Sequence, residues 1–440
     1  MRNHITVFDS IMGSGKTSHI IDHMREAHAQ RLFTDGRDDR FIYVTPLLDE
    51  VERVREALPE MRFKDPQPVH GRKYYHLEKL VEDRENIATT HTLFKKLTRK
   101  THDQIAAGGY TLIIDEVLTC CDVFSDLKEA DRKTLFNTGM VYIEEGTKRL
   151  RWNHEDHGGY TGRFEDIMHL CDNGHLCLYG DGKAILWQFP VEYLQCFDHV
   201  FILTYLFKGS PMRAYLEAEG VKFKMLSVTG DRDQGFTPVD WWTHSESDAK
   251  AKIRALVTVY EGPLNDIGRP TGRAHPFSKG WLARQDKKGM ASIKAKVETF
   301  FKTKSKTASP QNALATFSDF KSGLKGKGYS HKECWIPLNT KATNQYAHKT
   351  AMAYLSNRFS LPPVRQFFED QGIDMNEDVY ALSEMIQVLW RTAIRNNEPV
   401  HFYIPSQRMR RLFNLWLSTD NTTQLVTALS KQPEELKQAA

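Results

Sequence analysis

The sequence predicts an α/β protein with two mostly parallel sheets, and three observations lead to this prediction. Short β-prone runs alternate with helical patterns in the first half of the chain, and a Gly-rich turn joins the first run to the first helical pattern. The length of 440 residues exceeds one ordinary core. Because strands that alternate with helices usually form a parallel sheet covered on both faces, we expect two α/β lobes.

The first lobe is predicted to span residues 1–215. Its strands are expected at five apolar runs: Ile5–Phe8, Phe41–Thr45, Ile87–Thr89, Thr111–Ile114 and His199–Thr204. Between about residues 137 and 190 the pattern changes to short β-prone pieces interrupted by glycines. This change predicts a Gly-rich, β-prone insertion in the first lobe.

The second lobe is predicted at residues 216–422, followed by a C-terminal tail at 423–440 that resembles a marginal, partly frayed helix. Its candidate strands are Ala313–Phe317, Cys334–Leu338 and Val400–Ile404. The clearest helical pattern runs from about Glu377 to Arg395, and Asp374 or Asn376 is expected to cap its start.

Charge is concentrated in one part of the second lobe. The formal net charge is only +4, but residues 284–332 contain twelve Lys and Arg against three Asp and Glu. Such a basic segment suits a phosphate-backbone partner, since each neutralised phosphate releases counterions. A flexible, solvated loop is an equally good explanation of the composition alone.

Composition also excludes several classes of protein. No apolar run approaches the roughly 18 residues that cross a bilayer, so we expect a cytoplasmic protein with no membrane partner. The six cysteines include no C-x-x-C pair, which fits a reducing compartment. Cys171 and Cys177, with His175 between them, lack a second ligand pair, so a zinc site is disfavoured.

The strongest local signal is the stretch from Ser10 to Thr17, S-I-M-G-S-G-K-T, between the first strand and the first helix. Glycines at this junction let backbone N–H groups turn toward a phosphate, and the helix N-terminus favours the same anion. Lys16 is expected to reach the β- and γ-phosphates of a nucleotide, and the Thr17 hydroxyl to hold Mg²⁺. The predicted ATP-binding residues are Gly13, Ser14, Gly15, Lys16, Thr17 and Ser18.

A second signal is the acid pair Asp115-Glu116 at the end of the run Thr111–Ile114. In a parallel sheet, a carboxylate at the carboxyl end of a strand lies at the ligand edge. We therefore expect Asp115 to coordinate Mg²⁺ through water and Glu116 to orient or deprotonate the attacking water.

With these residues the chain resembles the superfamily 2 helicases of the DEAD-like group, in a form similar to phage-encoded members. The resemblance implies two RecA-like lobes with ATP bound in the cleft between them, and ATP hydrolysis coupled to movement along nucleic acid. It likens Gly13–Thr17 to motif I, Asp115-Glu116 to motif II, and Val44-Thr45-Pro46 to motif Ia. The nucleic-acid contacts it implies in the first lobe are Thr45, Pro46, Thr89, Thr90 and His91.

In the second lobe the resemblance is weaker. The segment Asn339–Asn344 stands where motif V would fall, which implies that Thr340, Lys341 and Asn344 touch the nucleic-acid backbone. Gln387, Arg391 and Arg395 are spaced i, i+4, i+8 on the predicted helix and resemble motif VI. The family uses an arginine of this helix as a finger on the γ-phosphate, so Arg391 and Arg395 are rival candidates.

The sequence therefore predicts an ATP-dependent helicase or translocase that uses Mg²⁺ and acts on nucleic acid, DNA more than RNA. The resemblance suggests replication, recombination or repair, with proteins of those processes as further partners. A packaging-motor ATPase is less well supported, because its nuclease would need more acids than Asp286, Glu298 and Asp319 in the basic stretch. A phosphate-loop kinase would leave the arginine-bearing helix unexplained, and a nucleotide-dependent DNA-binding module with little turnover stays open.

Overall fold

The computed structural model describes residues 4–31, 40–180, 184–272, 274–339 and 344–431. The strands are β1 (His4–Asp9), β2 (Arg40–Thr45), β3 (Ile87–Thr90), β4 (Tyr110–Asp115), β5 (Cys121–Val123), β6 (Val141–Ile143), β7 (Leu150–Trp152), β8 (Leu176–Tyr179), β9 (Ala184–Gln188), β10 (His199–Thr204), β11 (Phe223–Asp231), β12 (Gly235–Asp240), β13 (Val257–Val259), β14 (Asn312–Thr316), β15 (Trp335–Pro337), β16 (Ala351–Tyr354) and β17 (Val400–Tyr403). The helices are α1 (Lys16–Arg31), α2 (Leu48–Ala57), α3 (Tyr74–Glu82), α4 (His91–Phe94), α5 (Arg99–Gly108), α6 (Glu129–Asn137), α7 (His154–His157), α8 (Glu165–Asp172), α9 (Glu192–Gln195), α10 (Pro211–Ala218), α11 (Ser247–Leu256), α12 (Lys279–Ala283), α13 (Lys287–Thr299), α14 (Lys321–Leu324), α15 (Pro362–Glu369), α16 (Glu377–Leu389), α17 (Gln407–Ser418) and α18 (Thr422–Ser430). In these ranges no helix is long and apolar enough to cross a membrane.

The chain folds into two compact units that differ from the predicted lobes in their bounds. The first unit contains Met1–Asp9, Lys16–Pro238 and Ser360–Met375, and the second contains Ser10–Gly15, Val239–Phe359 and Asn376–Ala440. The predicted boundary at 215/216 is too early, because β11 pairs in parallel with β1 and so belongs to the first sheet.

The first unit is organised by a seven-stranded sheet with the order β12-β11-β1-β10-β4-β2-β3. From β11 to β3 every neighbouring pair is parallel. Successive side chains of β2 alternate between two apolar cores, with Ile42 and Val44 in one and Phe41 and Tyr43 in the other. Because both faces are covered, these strands appear in the sequence as continuous apolar runs, and all five predicted strands are confirmed.

The insertion contains helices as well as strands. An antiparallel sheet of order β5-β9-β8 and the hairpin β6-β7 accompany α6, α7 and α8. Leu135, Trp152, Ile167 and Leu176 are buried in a core that belongs to this part of the chain. The insertion begins earlier than the predicted residue 137, because β5 and α6 already belong to it. Its β-prone description was also incomplete, because several of the glycines separate short helices instead of strands.

The second unit is built on a five-stranded, fully parallel sheet with the order β13-β17-β16-β14-β15. This sheet confirms the three strands predicted in this half and the α/β fold class. The sequence analysis missed β13 and β16. Strand β16 has the sequence A-M-A-Y, which contains no β-branched residue and so carries little strand signal.

The predicted helix from Glu377 to Arg395 is too long. Asn376 caps its start as expected, with its Oδ1 accepting a hydrogen bond from the Val379 amide at 3.0 Å. The helix ends at Leu389, and residues Ala393–Asn396 form a separate 3₁₀ turn.

A buried ion pair anchors the end of the second unit. Lys250 on α11 lies 3.0 Å from Glu246, and both side chains are almost fully buried. The Lys250 ammonium also donates to the carbonyl of Thr419 at 3.0 Å, next to the start of α18. Part of the predicted tail is thus an ordered helix, with Leu425 fully buried.

We expect Lys250→Ala to lower the free energy of unfolding by about 3–5 kcal/mol, because it leaves the Glu246 carboxylate buried without its partner. The double variant Lys250→Met/Glu246→Leu removes both charges and should lose clearly less. Urea denaturation of the three proteins measures the difference. Equal losses for the single and double variants would contradict this role of the pair.

Candidate nucleotide-binding site

The loop between β1 and α1 has the backbone geometry of a phosphate-binding turn. Gly13 and Gly15 have φ angles of +83° and +88°, which L side chains rarely adopt. The 16-residue helix α1 begins at Lys16, so its N-terminal amides and the positive end of its dipole lie at the loop. Ser10 is fully buried, which explains why a small residue can replace the usual first glycine.

The residues of this loop fit a nucleotide phosphate. The Ser14 Oγ is buried and has no hydrogen-bond partner in the described part of the chain, and a phosphate oxygen would supply one. Lys16 and Thr17 are half-buried, and Ser18 is exposed.

The acid pair lies at the same edge of the sheet as the loop. Asp115 is the last residue of β4, and only β10 separates β4 from β1. Glu116 follows with a φ of +63°, and its amide donates to the carbonyl of Leu203 on β10 at 2.8 Å. A non-glycine residue in the left-handed region costs on the order of 1 kcal/mol or more, and such strain often marks functional positions.

Two contacts, one from the adjacent strand β2 and one from α4, hold Asp115 in place. The hydroxyl of Tyr43 on β2 donates to Asp115 Oδ2 at 2.8 Å. The His91 ring nitrogen Nε2 lies 2.9 Å from the Asp115 carbonyl oxygen. The position of Asp115 at the end of β4 is therefore fixed by β2 and by the helix α4 that follows β3.

Burial raises the pKa of Asp115 to about 6, with a further contribution from the adjacent Glu116 carboxylate and an opposing one from the Tyr43 hydrogen bond. The carboxylate is therefore destabilised, and a bound cation would relieve this cost. Among the described residues, no group of three His, Cys, Asp or Glu side chains could hold a metal ion. Asp115 and the Thr17 hydroxyl are the side chains that would hold a magnesium ion here, together with water and phosphate oxygens, which suits the preference of Mg²⁺ for few protein carboxylates.

The structure gives residues of the segment Thr89-Thr90-His91 contacts within the fold, and it leaves the main-chain contact expected at Thr45 untested. The side chains of Thr45 and Thr89 are buried, so only their main chain is available for a contact with nucleic acid. Thr90 caps α4 by accepting from the Leu93 amide at 3.4 Å, and the His91 ring lies against the Asp115 carbonyl. Pro46 is half-buried. His91 therefore links the segment after β3 to the acid pair, Thr90 caps α4, and the nucleic-acid contacts stay predictions.

In the second unit, the motif V prediction is untested and the helical part of the motif VI prediction is wrong. Thr340 and Lys341 lie outside the described residues, and Asn344 is exposed. Gln387 and Arg391 are only 7% and 6% exposed. Because α16 ends at Leu389, Arg391 and Arg395 do not lie on the same helix as Gln387, and the predicted common helical face is wrong. Arg395 lies in the 3₁₀ turn. The role of either arginine as a finger stays a prediction.

The sequence analysis missed a polar network at the carboxyl edge of the second sheet. Arg408 donates to Asn357 Oδ1 at 2.9 Å and to the Arg358 carbonyl at 2.8 Å. Arg358 in turn pairs with Glu384 at 2.8 Å and lies under the Tyr380 ring. The polar residues S-N-R stand one residue after A-M-A-Y in the sequence. They indicate a site only once β16 is recognised as a strand, because its carboxyl end then places them at the sheet edge.

In metal-free protein we expect Asp115→Asn to raise the free energy of unfolding at pH 8 by about 1–3 kcal/mol. The folded pKa near 6 lies above the unfolded value of about 3.9, so ionisation of Asp115 destabilises the fold above pH 6. As pH falls through 6 toward 4, wild type gains this energy and the difference should largely disappear. Urea denaturation in EDTA at pH 8 and pH 4.5 tests this, and a difference that does not depend on pH would refute the shift.

Comparison with known proteins places the chain in a family. Residues 251–417 match the YonV C-terminal Rossmann-like domain, and residues 123–187 match the YonV middle domain. The SPbeta prophage-derived uncharacterized protein YonV of Bacillus subtilis (strain 168) is 35% identical over 426 residues, covering 94% of this chain and 98% of the relative. Among solved structures, that of S. tokodaii Xpd4 aligns over 93% of both chains with 9% identity and a TM-score of 0.44, a likeness too weak to support an inference. On the match along nearly its whole length, the chain belongs to the YonV family.

Proposed function

We propose that this protein is an ATPase of the helicase or translocase type, whose ATP hydrolysis is coupled to nucleic acid, DNA more than RNA. One observation carries the proposal. The loop Ser10–Thr17 and the pair Asp115-Glu116 follow parallel strands with only β10 between them, so both lie at the ligand edge of one sheet.

The chemistry assigned to the chain follows from this arrangement. The loop amides and the α1 N-terminus would receive the phosphates of ATP, and the Lys16 ammonium would neutralise charge on the β- and γ-phosphates. Magnesium, when bound, supplies further neutralisation of the transferred phosphoryl group. Glu116 would orient the attacking water and accept its proton, while Tyr43 holds the neighbouring Asp115 carboxylate.

The nucleic-acid part of the proposal rests on the resemblance to superfamily 2 helicases and on the basic segment at residues 284–332. Arg391 and Arg395 are retained as candidate arginine fingers, to be separated by mutagenesis. The related YonV protein is prophage-derived, which is compatible with a phage role in DNA replication, recombination or repair for this chain.

We expect Lys16→Ala and Glu116→Gln each to reduce ATP turnover at least 100-fold, because the first removes phosphate neutralisation and the second the group that activates water. Thermal unfolding should change little. The matched controls are Lys133→Ala and Glu129→Gln, the same substitutions in an exposed ion pair on α6, which should retain activity. Near-normal turnover in either site variant would refute the site assignment.

We further expect DNA to raise the ATP hydrolysis rate at least tenfold. Rates with single-stranded, duplex and forked DNA, and with RNA, show which nucleic acid is preferred. Nucleotide-dependent DNA binding with hardly any turnover would instead favour a DNA-binding module. Divalent-metal nuclease activity would favour a packaging motor.

A further inference from the structure

The basic segment, residues 284–332, is a folded surface and not the flexible loop that its composition also allowed. All of its residues are described. It contains α13, a π-helical turn at Phe300–Ser305, β14 and α14. Ile293, Val297 and Phe300 are buried in the core of the second unit, which holds α13 in place. The lysines are therefore presented from a fixed scaffold.

The three acids of this segment neutralise none of its cations. Asp286 caps α13 by accepting from the Gly289 amide at 2.7 Å, and Glu298 accepts from the Lys327 amide at 2.8 Å. Asp319 pairs at 2.8 Å with Lys279, which precedes the segment. None of the twelve Lys and Arg side chains forms an ion pair with any residue that the structure describes.

Four exposed lysines mark the two ends of this scaffold. Lys287 and Lys288 occupy the first turn of α13, and Lys302 and Lys304 lie in the π-helical turn that follows it. At 1.5 Å per residue, the stretch from Lys287 to Lys304 is roughly 25 Å long. Duplex DNA carries one charge per about 1.7 Å of its axis, so a duplex segment of this length carries on the order of ten phosphates.

Stabilisation of α13 by the helix dipole explains the lysines at its C-terminal end but not those at its N-terminal end. Cations near a helix C-terminus interact favourably with the helix dipole, which suits Lys302 and Lys304. Lys287 and Lys288 lie at the N-terminus, where the dipole disfavours positive charge. Their placement opposes local stability and requires another explanation.

We propose that this surface, defined by Lys287, Lys288, Lys302 and Lys304, binds the phosphate backbone of duplex nucleic acid without reading its sequence. The proposal rests on the function proposed above and names a contact surface for it. A membrane-binding helix would present large apolar side chains to the lipid, and none of the large exposed apolar side chains lies in the segment. Single-strand binding relies on exposed aromatic rings for stacking, which this surface also lacks.

The test is the salt dependence of binding to a 20-base-pair DNA duplex, followed by fluorescence anisotropy. The variant is K287Q/K288Q/K302Q/K304Q. We expect the slope of log K against log[salt] to decrease in magnitude by about two to four, since each backbone contact contributes about 0.9. Affinity at low salt should fall at least tenfold. Circular dichroism should be unchanged, because all four side chains are exposed.

The matched control is K79Q/K133Q/K222Q/K224Q, which changes the net charge equally in the first unit. Lys79 and Lys133 have ion-pair partners there, and Lys222 and Lys224 are exposed. Its slope should change by less than one. Equal losses in both variants would overturn the proposed surface, since net charge alone would then explain the effect.

Two further outcomes separate this surface from the function on which it rests. If wild type binds the duplex and DNA stimulates its ATPase, but the K287Q/K288Q/K302Q/K304Q variant keeps the full salt slope, the surface is wrong and the proposed function stands. If wild type neither binds DNA nor responds to it, both fail. The nucleic-acid assignment would also be overturned if wild type bound anionic phosphatidylserine vesicles in place of DNA and the K287Q/K288Q/K302Q/K304Q variant lost this binding.

Discussion

Parallel pairing between β1, β10 and β4 is the constraint on which the candidate site depends. Parallel strands place their carboxyl ends at one edge of the sheet. The loop after β1 and the acid pair after β4, about 100 positions apart in the chain, therefore lie at the same edge because of strand pairing alone. The Glu116 amide reinforces this arrangement by bonding to the Leu203 carbonyl of β10. A change of strand order would separate the loop from the acid pair, even if every local structure were kept.

The surroundings of Asp115 make its negative charge costly, which suits the cation that we propose at this position. Burial and a neighbouring carboxylate make its charge unfavourable, while the Tyr43 hydroxyl partly compensates. Tyr43 is itself buried, and the Asp115 carboxylate helps to raise its pKa further. Such an arrangement stores electrostatic cost in the unliganded protein, which a divalent cation would release.

The second unit uses charge in two different ways. Lys250 is almost fully buried and Arg358 is half-buried, and each pairs with an acidic side chain of the fold. The lysines of the basic segment have no such partners among the described residues, although acids are present in the same stretch. The engagement of nearby carboxylates, and not composition, therefore separates the paired cations from the lysines that we propose to bind nucleic acid.

By itself, the sequence determined five of the seven strands of the first sheet, the glycine-containing turn after β1 and the acid pair. These features are local, because strands buried on both faces appear as apolar runs and glycines are required where φ is positive. Only the tertiary structure decided that β11 belongs to the first sheet, that A-M-A-Y is a central strand, and that α16 ends before Arg391. The physical reason is that strand pairing and helix ends depend on partners distant in sequence, whereas the apolar periodicity near Arg391 continues past the last helical hydrogen bond.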